Sequence, residues 1–221
     1  MTEPLDVSTM RIGILGGTGE QGRGLGRRFA KAGHPIVLGS RDPERAAAVA
    51  AELAAGRLPI TGASNADAAA ADVVIVAVPY DGHRELLASL ATQLAGKVVI
   101  DCVNPMLFEK GRPSMIAVPE GSAAEEAAAV LPESLVVSAF HDVSAKLLLG
   151  SEPTVPTDVL VCGDDADART LVCALAGQIS GMRGVDVGPL RLSSVLEALT
   201  MVLIGANKRY KTHAGVRITG V

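Results

Sequence analysis

The most constraining feature of this chain lies near its start, where a short apolar run leads into closely spaced glycines. Residues 11–26 read RIGILGGTGEQGRGLG, and Gly17, Gly19 and Gly22 form the pattern G-x-G-x-x-G. A strand before this pattern and a helix after it are typical of a dinucleotide-binding unit. The first glycine allows a tight turn, the second lets backbone approach a pyrophosphate, and the third lets helix and strand pack closely. The first N–H groups of the helix would face the phosphates.

A second feature follows the next apolar run. NAD-specific folds carry an acidic residue about twenty positions beyond the glycines, where it accepts the ribose 2′-hydroxyl. Ser40 and Arg41 stand there instead, and a guanidinium matches a 2′-phosphate in charge and geometry. Arg45 is a second candidate cation, while Asp42 and Pro43 fit the N-cap and first position of a helix. Arg41 on a solvated loop is the alternative, and we expect NADP rather than NAD.

Composition indicates a globular protein of one domain, or of one domain with a small appendage. Of 221 residues, 48% are hydrophobic and 20% are charged, unlike a disordered chain. The net charge of -4 argues against general nucleic-acid binding. Aromatic residues make up 2% and Trp is absent from the sequence, which removes the usual base-stacking surface.

The sequence also lacks the patterns of metal centres, export and membrane insertion. Cys102, Cys162 and Cys173 form no C-x-x-C and lie in or beside apolar segments, as buried thiols do. Residues 1–9 are polar and acidic, without a signal-peptide core. No unbroken apolar run reaches the roughly 18 residues of a membrane span. We therefore expect a cytoplasmic protein with no metal, no nucleic-acid partner and no membrane contact.

Apolar runs alternate with alanine-rich segments along the chain, which is typical of a parallel α/β sheet. The clearest strand covers 72–78 and is apolar almost throughout, as strands buried on both faces are. The Pro- and Gly-rich stretch 104–121 is expected to be a long loop, of the kind that forms lids. The last helix, 190–207, carries an apolar stripe. We expect this stripe to pack on the sheet, to contribute to a homodimer interface, or to do both.

Few side chains suggest chemistry of their own. His34 is expected to be structural and His83 to be solvated. His141 and Tyr80 follow strands at the carboxyl edge, where open α/β sheets bind ligands, so each contacts a ligand or makes only local contacts. No nucleophile–base motif is present. Hydride transfer between two bound heterocycles needs alignment more than a proton donor, so no catalytic side chain is expected.

Over residues 11–221 the sequence resembles the NADPH-dependent F420 reductases, also called F420H2:NADP oxidoreductases. The glycine segment by itself fits many proteins. The more specific segments read GSR at 39–41, IVAVPYDGH at 75–83, DCVNP at 101–105, SAFHDVSA at 138–145 and RYKTHAGVRITG at 209–220.

The resemblance implies a homodimer in which hydride passes between NADP(H) and coenzyme F420 as co-substrate. With the motifs above, it gives a set of cofactor-binding candidates, namely Gly17, Thr18, Gly19, Glu20, Gln21, Gly22, Ser40, Arg41, Arg45, Tyr80, Met106, His141, Ala145, Ala214 and Gly215. Thr18 to Gln21 would hold the pyrophosphate, and Tyr80 and Met106 would border the nicotinamide. Ala145 would line the cleft where the rings meet, and Ala214 and Gly215 would meet F420.

Basic residues near the C-terminus have two interpretations. Lys208, Arg209, Lys211 and Arg217 lie on a chain that is acidic overall. F420 carries a phosphodiester and an oligoglutamate tail, which these cations would attract. The alternative is that they are solvated charges without a ligand.

We predict an α/β, Rossmann-like NADP-binding fold with a mostly parallel, doubly wound sheet and a small C-terminal helical portion. Residues 1–9 are expected to be a flexible extension and 10–180 the NADP-binding domain. Residues 181–221 would complete the F420 cleft and a dimer interface. Two alternative functions are an NADPH-dependent reductase of a small carbonyl or imine, and a non-catalytic NADP(H)-binding redox sensor.

Overall fold

Short apolar strands form the centre of the computed structural model, which describes residues 5–55, 57–109 and 112–221. The described strands are β1 (Ile12–Leu15), β2 (Ile36–Ser40), β3 (Ile60–Ser64), β4 (Val73–Val76), β5 (Val98–Asp101), β6 (Met106–Glu109), β7 (Arg112–Met115), β8 (Leu135–Ser138), β9 (Thr157–Gly163) and β10 (Met182–Gly188). The described helices are α1 (Glu20–Lys31), α2 (Pro43–Ala54), α3 (Asn65–Ala69), α4 (His83–Leu94), α5 (Ala123–Val130), α6 (Ala145–Leu149), α7 (Ala166–Gln178) and α8 (Ser193–Tyr210).

Eight strands form one sheet in the order β10-β9-β8-β5-β4-β1-β2-β3. Neighbouring strands are parallel except for β8 and β9, which are antiparallel. The chain leaves β1 for β2 and β3 on one side and then returns to β4 on the other. This reversal makes the carboxyl ends of β1 and β4 the topological switch point, where sheets of this type bind ligands. The predicted Rossmann-like fold is confirmed.

Both faces of the sheet are covered, because successive side chains of a strand point in opposite directions. In β4, Val73 and Ile75 join a core with α1, α2, α6 and α7. Val74 and Val76 join a second core with α3, α4 and α5. A strand that is buried on both faces must be apolar at every position, and this explains the unbroken run that predicted β4.

Helix starts follow the local signals in the sequence. The Asp42 carboxylate accepts a hydrogen bond from the Arg45 amide at 3.1 Å, so it caps α2 as predicted. Ser122 Oγ accepts from the Glu125 amide at 3.0 Å and caps α5 in the same way. Each contact satisfies a backbone donor that the first helical turn cannot pair internally.

The prediction of a loop over 104–121 is wrong for two short segments, which are the strands β6 and β7. β6 and β7 pair as an antiparallel hairpin in which Met106 lies opposite Met115, outside the main sheet. Residues 110 and 111 of the predicted loop lie outside the described part. The hairpin gave little signal because most of its side chains are exposed, so burial imposes no apolar alternation on its sequence.

β10 is a strand that the sequence interpretation missed. It pairs in parallel with β9 at the edge of the main sheet, from Met182 to Gly188. The sheet therefore continues past residue 180, where the sequence suggested that the first domain ends. Glycines at 184 and 188 weaken the strand pattern. Gly184 is required by packing, since a Cβ there would lie 2.4 Å from the Cys173 Cα of α7.

The N-terminal segment is attached to the main core. Val7 is 1% exposed and belongs to the main core, so the segment predicted as a flexible extension is anchored at that residue. Residues 1–4 of this extension lie outside the described part.

α8 follows a short 3-10 helix, Leu190–Leu192, and packs Leu196 against β9 and β10. By length and composition alone, the segment 190–210 is long and apolar enough to cross a membrane. Its most apolar 18 residues have a mean hydropathy of 1.3, and 22% of them are buried. The sequence analysis looked for an uninterrupted apolar run, and this segment is not one. Its mean hydropathy is high although polar residues interrupt it. Val195 and Val202 remain exposed, which leaves an apolar face on this helix.

Packing at β10 gives a stability prediction. We expect Gly184→Ala to lower the free energy of unfolding by about 1–3 kcal/mol, because the new methyl group collides with the α7 backbone. Gly177→Ala in α7 is the matched control, since a Cβ there meets nothing within 4 Å and Ala is the better helix former. Urea unfolding of both variants tests this, and equal stability of the two would contradict the assigned packing.

Candidate functional site

The turn after β1 is built from closely packed backbone. Gly16 has φ +70°, a conformation that L side chains rarely adopt, so it makes the left-handed turn. A Cβ on Gly17 would lie 2.9 Å from the Leu38 Cα, and one on Gly22 would lie 2.7 Å from the Gly17 Cα. The tight turn therefore belongs to Gly16, one residue before the glycine to which the motif assigned it. Gly22 allows the close approach of α1, as expected.

A cavity of about 360 Å³ opens at this turn, over the carboxyl ends of β1, β2 and β4. Its lining consists of Gly16, Thr18, Gly19, Ser40, Arg41, Asp42, Arg45, Asn65, Ala77, Val78, Pro79, Asp81, Gly82 and Leu86. Gly19 is the N-cap of α1 and provides no side-chain cap. The first N–H groups of this helix thus remain available to an anion, and its dipole favours one.

The polar residues predicted to bind a 2′-phosphate belong to the lining of this first cavity. Ser40 is buried, and its Oγ accepts a hydrogen bond from the Asp42 amide at 3.1 Å. Arg41 and Arg45 are exposed. Among the residues that the structure describes, neither guanidinium has a carboxylate partner within salt-bridge distance. Both side chains are therefore available to a bound phosphate.

A second cavity, of about 750 Å³, also borders the α1 N-terminus. It is lined by Glu20, Gln21, Cys102, Asn104, Phe108, His141, Asp142, Val143, Ser144, Ala145, Lys146, Thr200, Leu203, Ile204, Asn207, His213 and Ala214. Residues from the segment after β5, the hairpin, α6, α8 and the tail thus meet at one opening. Gln21 Nε2 donates to the Phe140 carbonyl oxygen at 3.1 Å, which joins α1 to the loop after β8.

Two buried polar groups of the second cavity have atoms without a protein partner. His141 Nε2 lies 2.6 Å from Ser138 Oγ, whereas His141 Nδ1 and Asp142 Oδ2 have none in the described structure. Burial lowers the pKa of His141 to about 4 and raises that of Asp142 to about 6. Buried polar atoms without partners are costly, and both residues line the second cavity.

The structure divides the predicted binding residues between the two cavities. Thr18, Gly19, Ser40, Arg41 and Arg45 line the first cavity. Glu20, Gln21, His141, Ala145 and Ala214 line the second. The turn predicted to hold a pyrophosphate therefore contributes to both.

Five predicted residues line neither cavity. Gly17 and Gly22 form the packed turn, and Met106 is half-buried at the start of the hairpin. Tyr80 lies beside a neighbouring cavity of about 530 Å³ that shares Asp81 and Gly82 with the first one. Gly215 is exposed but packs on β9, since a Cβ there would lie 2.5 Å from Thr157 Oγ1.

The basic tail is partly engaged within the protein. Arg217 Nη1 lies 2.9 Å from Asp158 Oδ1, and Arg183 Nη2 lies 2.7 Å from Asp158 Oδ2. Hydrogen bonds from Arg183, and also from the Ile218 amide and Arg217, outweigh desolvation and lower the pKa of Asp158 to about 2. Arg217 therefore attaches the tail to β9. Lys208, Arg209 and Lys211 are exposed.

His83 was predicted to be solvated, and this is wrong. Its side chain is fully buried, with Nε2 2.7 Å from Asp101 Oδ2 and Nδ1 2.9 Å from Glu126 Oε1. Burial lowers the pKa of His83, but the two carboxylates outweigh this and raise it to about 9. No local pattern revealed this, because Asp101 and Glu126 are 18 and 43 residues away in sequence.

Other lining residues also escaped the sequence interpretation. Asn65 Oδ1 accepts a hydrogen bond from the Gly16 amide at 3.2 Å and supports the turn. Asn104 and Thr200 both donate to the His141 carbonyl oxygen, at 3.1 and 3.0 Å. The segment DCVNP offered a signal for Asn104, because it follows a strand at the carboxyl edge. Thr200 in the middle of a helix offered none.

The buried histidine gives a prediction for the pH dependence of stability. The pKa of His83 rises from 6.5 to about 9 on folding, so its stabilisation is complete below pH 6.5 and is lost as the pH approaches 9. Buried Glu197, whose pKa rises from 4.5 to about 8, acts in the same direction over a lower window. Urea unfolding at pH 6.5, 7.5 and 9 should show falling stability. We expect stability to fall less steeply with pH in His83→Gln. Glu197→Gln should retain the fall in stability between pH 7.5 and 9. Identical slopes for His83→Gln and the parent chain would refute this.

Comparisons with known proteins agree with this geometry. Residues 11–105 match the family model for coenzyme F420-dependent NADP oxidoreductase. An F420-dependent NADP reductase of Methanocaldococcus jannaschii is 42% identical over 96% of this chain and 99% of its own length. The enzyme of that name from Methanothermobacter thermautotrophicus is 40% identical over 98% of each chain.

A solved structure of similar shape supports the same assignment. A candidate F420-dependent NADP reductase from Arthrobacter sp. FB24 superimposes with a TM-score of 0.82 at 28% identity. The match covers 95% of this chain and 99% of that one. Sequence relationship and fold therefore agree over nearly the full length. The chain belongs to the family of F420-dependent NADP reductases.

Proposed function

We propose that this chain transfers a hydride between NADP(H) and coenzyme F420, reversibly, with NADP in the first cavity and the deazaflavin of F420 in the second. The observation that carries the proposal is that two cavities are lined by consecutive residues of one helix N-terminus. Thr18 and Gly19 line one cavity, and Glu20 and Gln21 line the other. Ligands held in both would approach each other at this turn.

The first cavity has the features that NADP requires. Gly19 leaves the N–H groups at the start of α1 uncovered by a side chain, which suits a pyrophosphate. Ser40, Arg41 and Arg45 supply a hydroxyl and two cations for the 2′-phosphate. An acidic residue for a free 2′-hydroxyl does not occupy the end of β2. These groups support NADP over NAD.

The second cavity suits a planar, hydrogen-bonding ring. Its volume of about 750 Å³ lies in the range of small-molecule sites. Leu203 and Ile204 supply apolar surface, whereas Asn104, Thr200 and Asn207 add polar side-chain atoms to the lining. The pyrimidine edge of a deazaflavin presents N–H and carbonyl groups that match such atoms. Ala214 adds the tail to this wall.

The proposed chemistry places few demands on the side chains. When bound, NADPH would supply a hydride to the deazaflavin, and a proton from solvent would complete the two-electron reduction of F420. The residues described above bind the two groups, orient them and exclude water. A catalytic acid is accordingly not assigned to the chain, and His141 with a pKa of about 4 is neutral at physiological pH.

We further propose a homodimer in the cytoplasm, without a nucleic-acid or membrane partner. The exposed Val195 and Val202 of α8 support a contact with a second copy, because uncovered apolar faces mark interaction sites. The net charge of -4 argues against nucleic acid. Residues 181–221 would then serve both the acceptor cleft and the interface.

Direct assay separates this proposal from its alternatives. Purified protein mixed with NADPH and oxidised F420 should bleach the visible F420 absorption. Turnover of a carbonyl or imine panel without F420 bleaching would favour a small-substrate reductase. NADPH binding without turnover of either would favour a redox sensor and refute the proposed reaction.

The 2′-phosphate assignment gives a variant prediction. We expect Arg41→Ala to raise the KM for NADPH about tenfold or more, because a charged hydrogen bond contributes about 1.5–3 kcal/mol, and to leave the KM for F420 nearly unchanged. NADH serves as the internal control, since it lacks the 2′-phosphate, and its KM should change little. Steady-state kinetics with each nucleotide tests this. Equal effects on NADPH and F420 would contradict the assignment.

A further inference from the structure

A buried charge cluster joins three elements beneath the two cavities. His83 begins α4, Asp101 ends β5, and Glu126 lies in α5. Both ring nitrogens of His83 face carboxylates at 2.7 and 2.9 Å, so both donate. Glu126 also accepts from Tyr80 Oη at 3.2 Å and from Arg84 Nε at 3.3 Å. Every group of the cluster therefore has a partner.

The cluster lies between the segments that line the two cavities. Asp81 and Gly82, directly before His83, line the first cavity. Cys102 and Asn104, just after Asp101, line the second. The contact between His83 and Asp101 thus connects one wall of each cavity.

Asp101 also shapes the chain beyond β5. Its Oδ1 accepts a hydrogen bond from the Val103 amide at 2.9 Å, while Oδ2 faces His83. The carboxylate therefore holds the segment 102–104 from one side and α4 from the other. Loss of the imidazole would leave Asp101 and Glu126, both buried, without the cation between them, and such groups repel or take up water.

We propose that His83 is a positioning residue for hydride transfer. Through Asp101 and Glu126, it fixes the wall of the NADP cavity relative to the wall of the F420 cavity. This inference rests on the function proposed above. Hydride transfer requires reacting atoms about 3–3.5 Å apart, and a displacement of about 1 Å can cost a hundredfold in rate. A contact that joins both walls controls this separation without touching either ring.

The surrounding charges are also part of the arrangement. Arg84 pairs with Glu126 and with Glu120 on the exposed side. Glu197 of α8 accepts from the Ala123 and Ala124 amides at the start of α5, at 3.2 Å each. Variants of the cluster should therefore be neutral and close in size, so that α5 and Arg84 keep their other contacts.

The test uses His83→Gln, Asp101→Asn and the double variant in the full chain. Single-turnover mixing with NADPH and F420 should show hydride transfer at least about tenfold slower in each single variant. The double variant should be no slower than the slower single one, because both act through one contact. Dissociation constants for NADPH and for F420, measured separately by fluorescence, should change less than about threefold.

Leu94→Ala is the matched control for a merely structural role. Leu94 is fully buried at the far end of α4 and lines neither cavity. It should lower stability at least as much as His83→Gln and leave the transfer rate within about twofold. Equal slowing in Leu94→Ala and His83→Gln would overturn the proposal, as would a normal rate in folded His83→Gln.

A readout without ligands separates this inference from the proposed function. In the free protein, exchange of the Val103 amide with solvent should be faster in His83→Gln than in Leu94→Ala, because Asp101 loses its partner. Unchanged Val103 exchange would refute the positioning contact. A parent chain that binds both cofactors but transfers no hydride would instead refute the proposed function, and the inference with it.

Discussion

Close approach of backbone at the carboxyl end of β1 is the constraint on which both cavities depend. Gly16 turns the chain, Gly17 lies against β2, and Gly22 brings α1 against the turn. Side chains at Gly16 and Gly17 would collide with Val78 and Leu38, and one at Gly22 would push α1 away from the turn. The helix N-terminus would then leave the sheet edge, and with it the surface that separates the first cavity from the second. The site therefore depends on three residues that contribute no functional group.

Sequence patterns predicted most of the fold because burial on both faces of a parallel sheet leaves strong signals. The apolar run of β4 and the caps Asp42 and Ser122 are local features, and the structure bears them out. β10 and the hairpin escaped because they lie at an edge or outside the sheet. There, packing with one neighbour decides the conformation, and the sequence carries polar residues and glycines. Edges are consequently the part of such a fold that patterns describe least well.

The candidate site also contains residues that local sequence patterns predict and residues that only the tertiary fold brings together. Thr18, Gly19, Ser40, Arg41 and Arg45 of the first cavity could be proposed from sequence because turn, helix start and cation occur at fixed spacing along the chain. The second cavity combines positions from Glu20 to Ala214, and proximity of such distant residues is a tertiary property. His83 shows the limit most plainly: the local sequence favoured solvation, whereas two distant carboxylates make burial of the imidazole favourable. Electrostatic clusters of this kind become visible only once the sheet order is known.

The antiparallel pairing of β8 and β9 in the main sheet has a consequence for which parts of the chain line the two cavities. Because β9 runs opposite to β8, with Cys162 beside Ser138, its first residues extend past the end of β8. The tail attaches there, since the Asp158 amide donates to the Val216 carbonyl oxygen at 2.8 Å. The first cavity draws its whole lining from residues 16–86, while the second also uses His213 and Ala214 of the C-terminal tail. Exchange of the C-terminal segment between related proteins would therefore change one wall of the second cavity and leave the lining of the first unaltered.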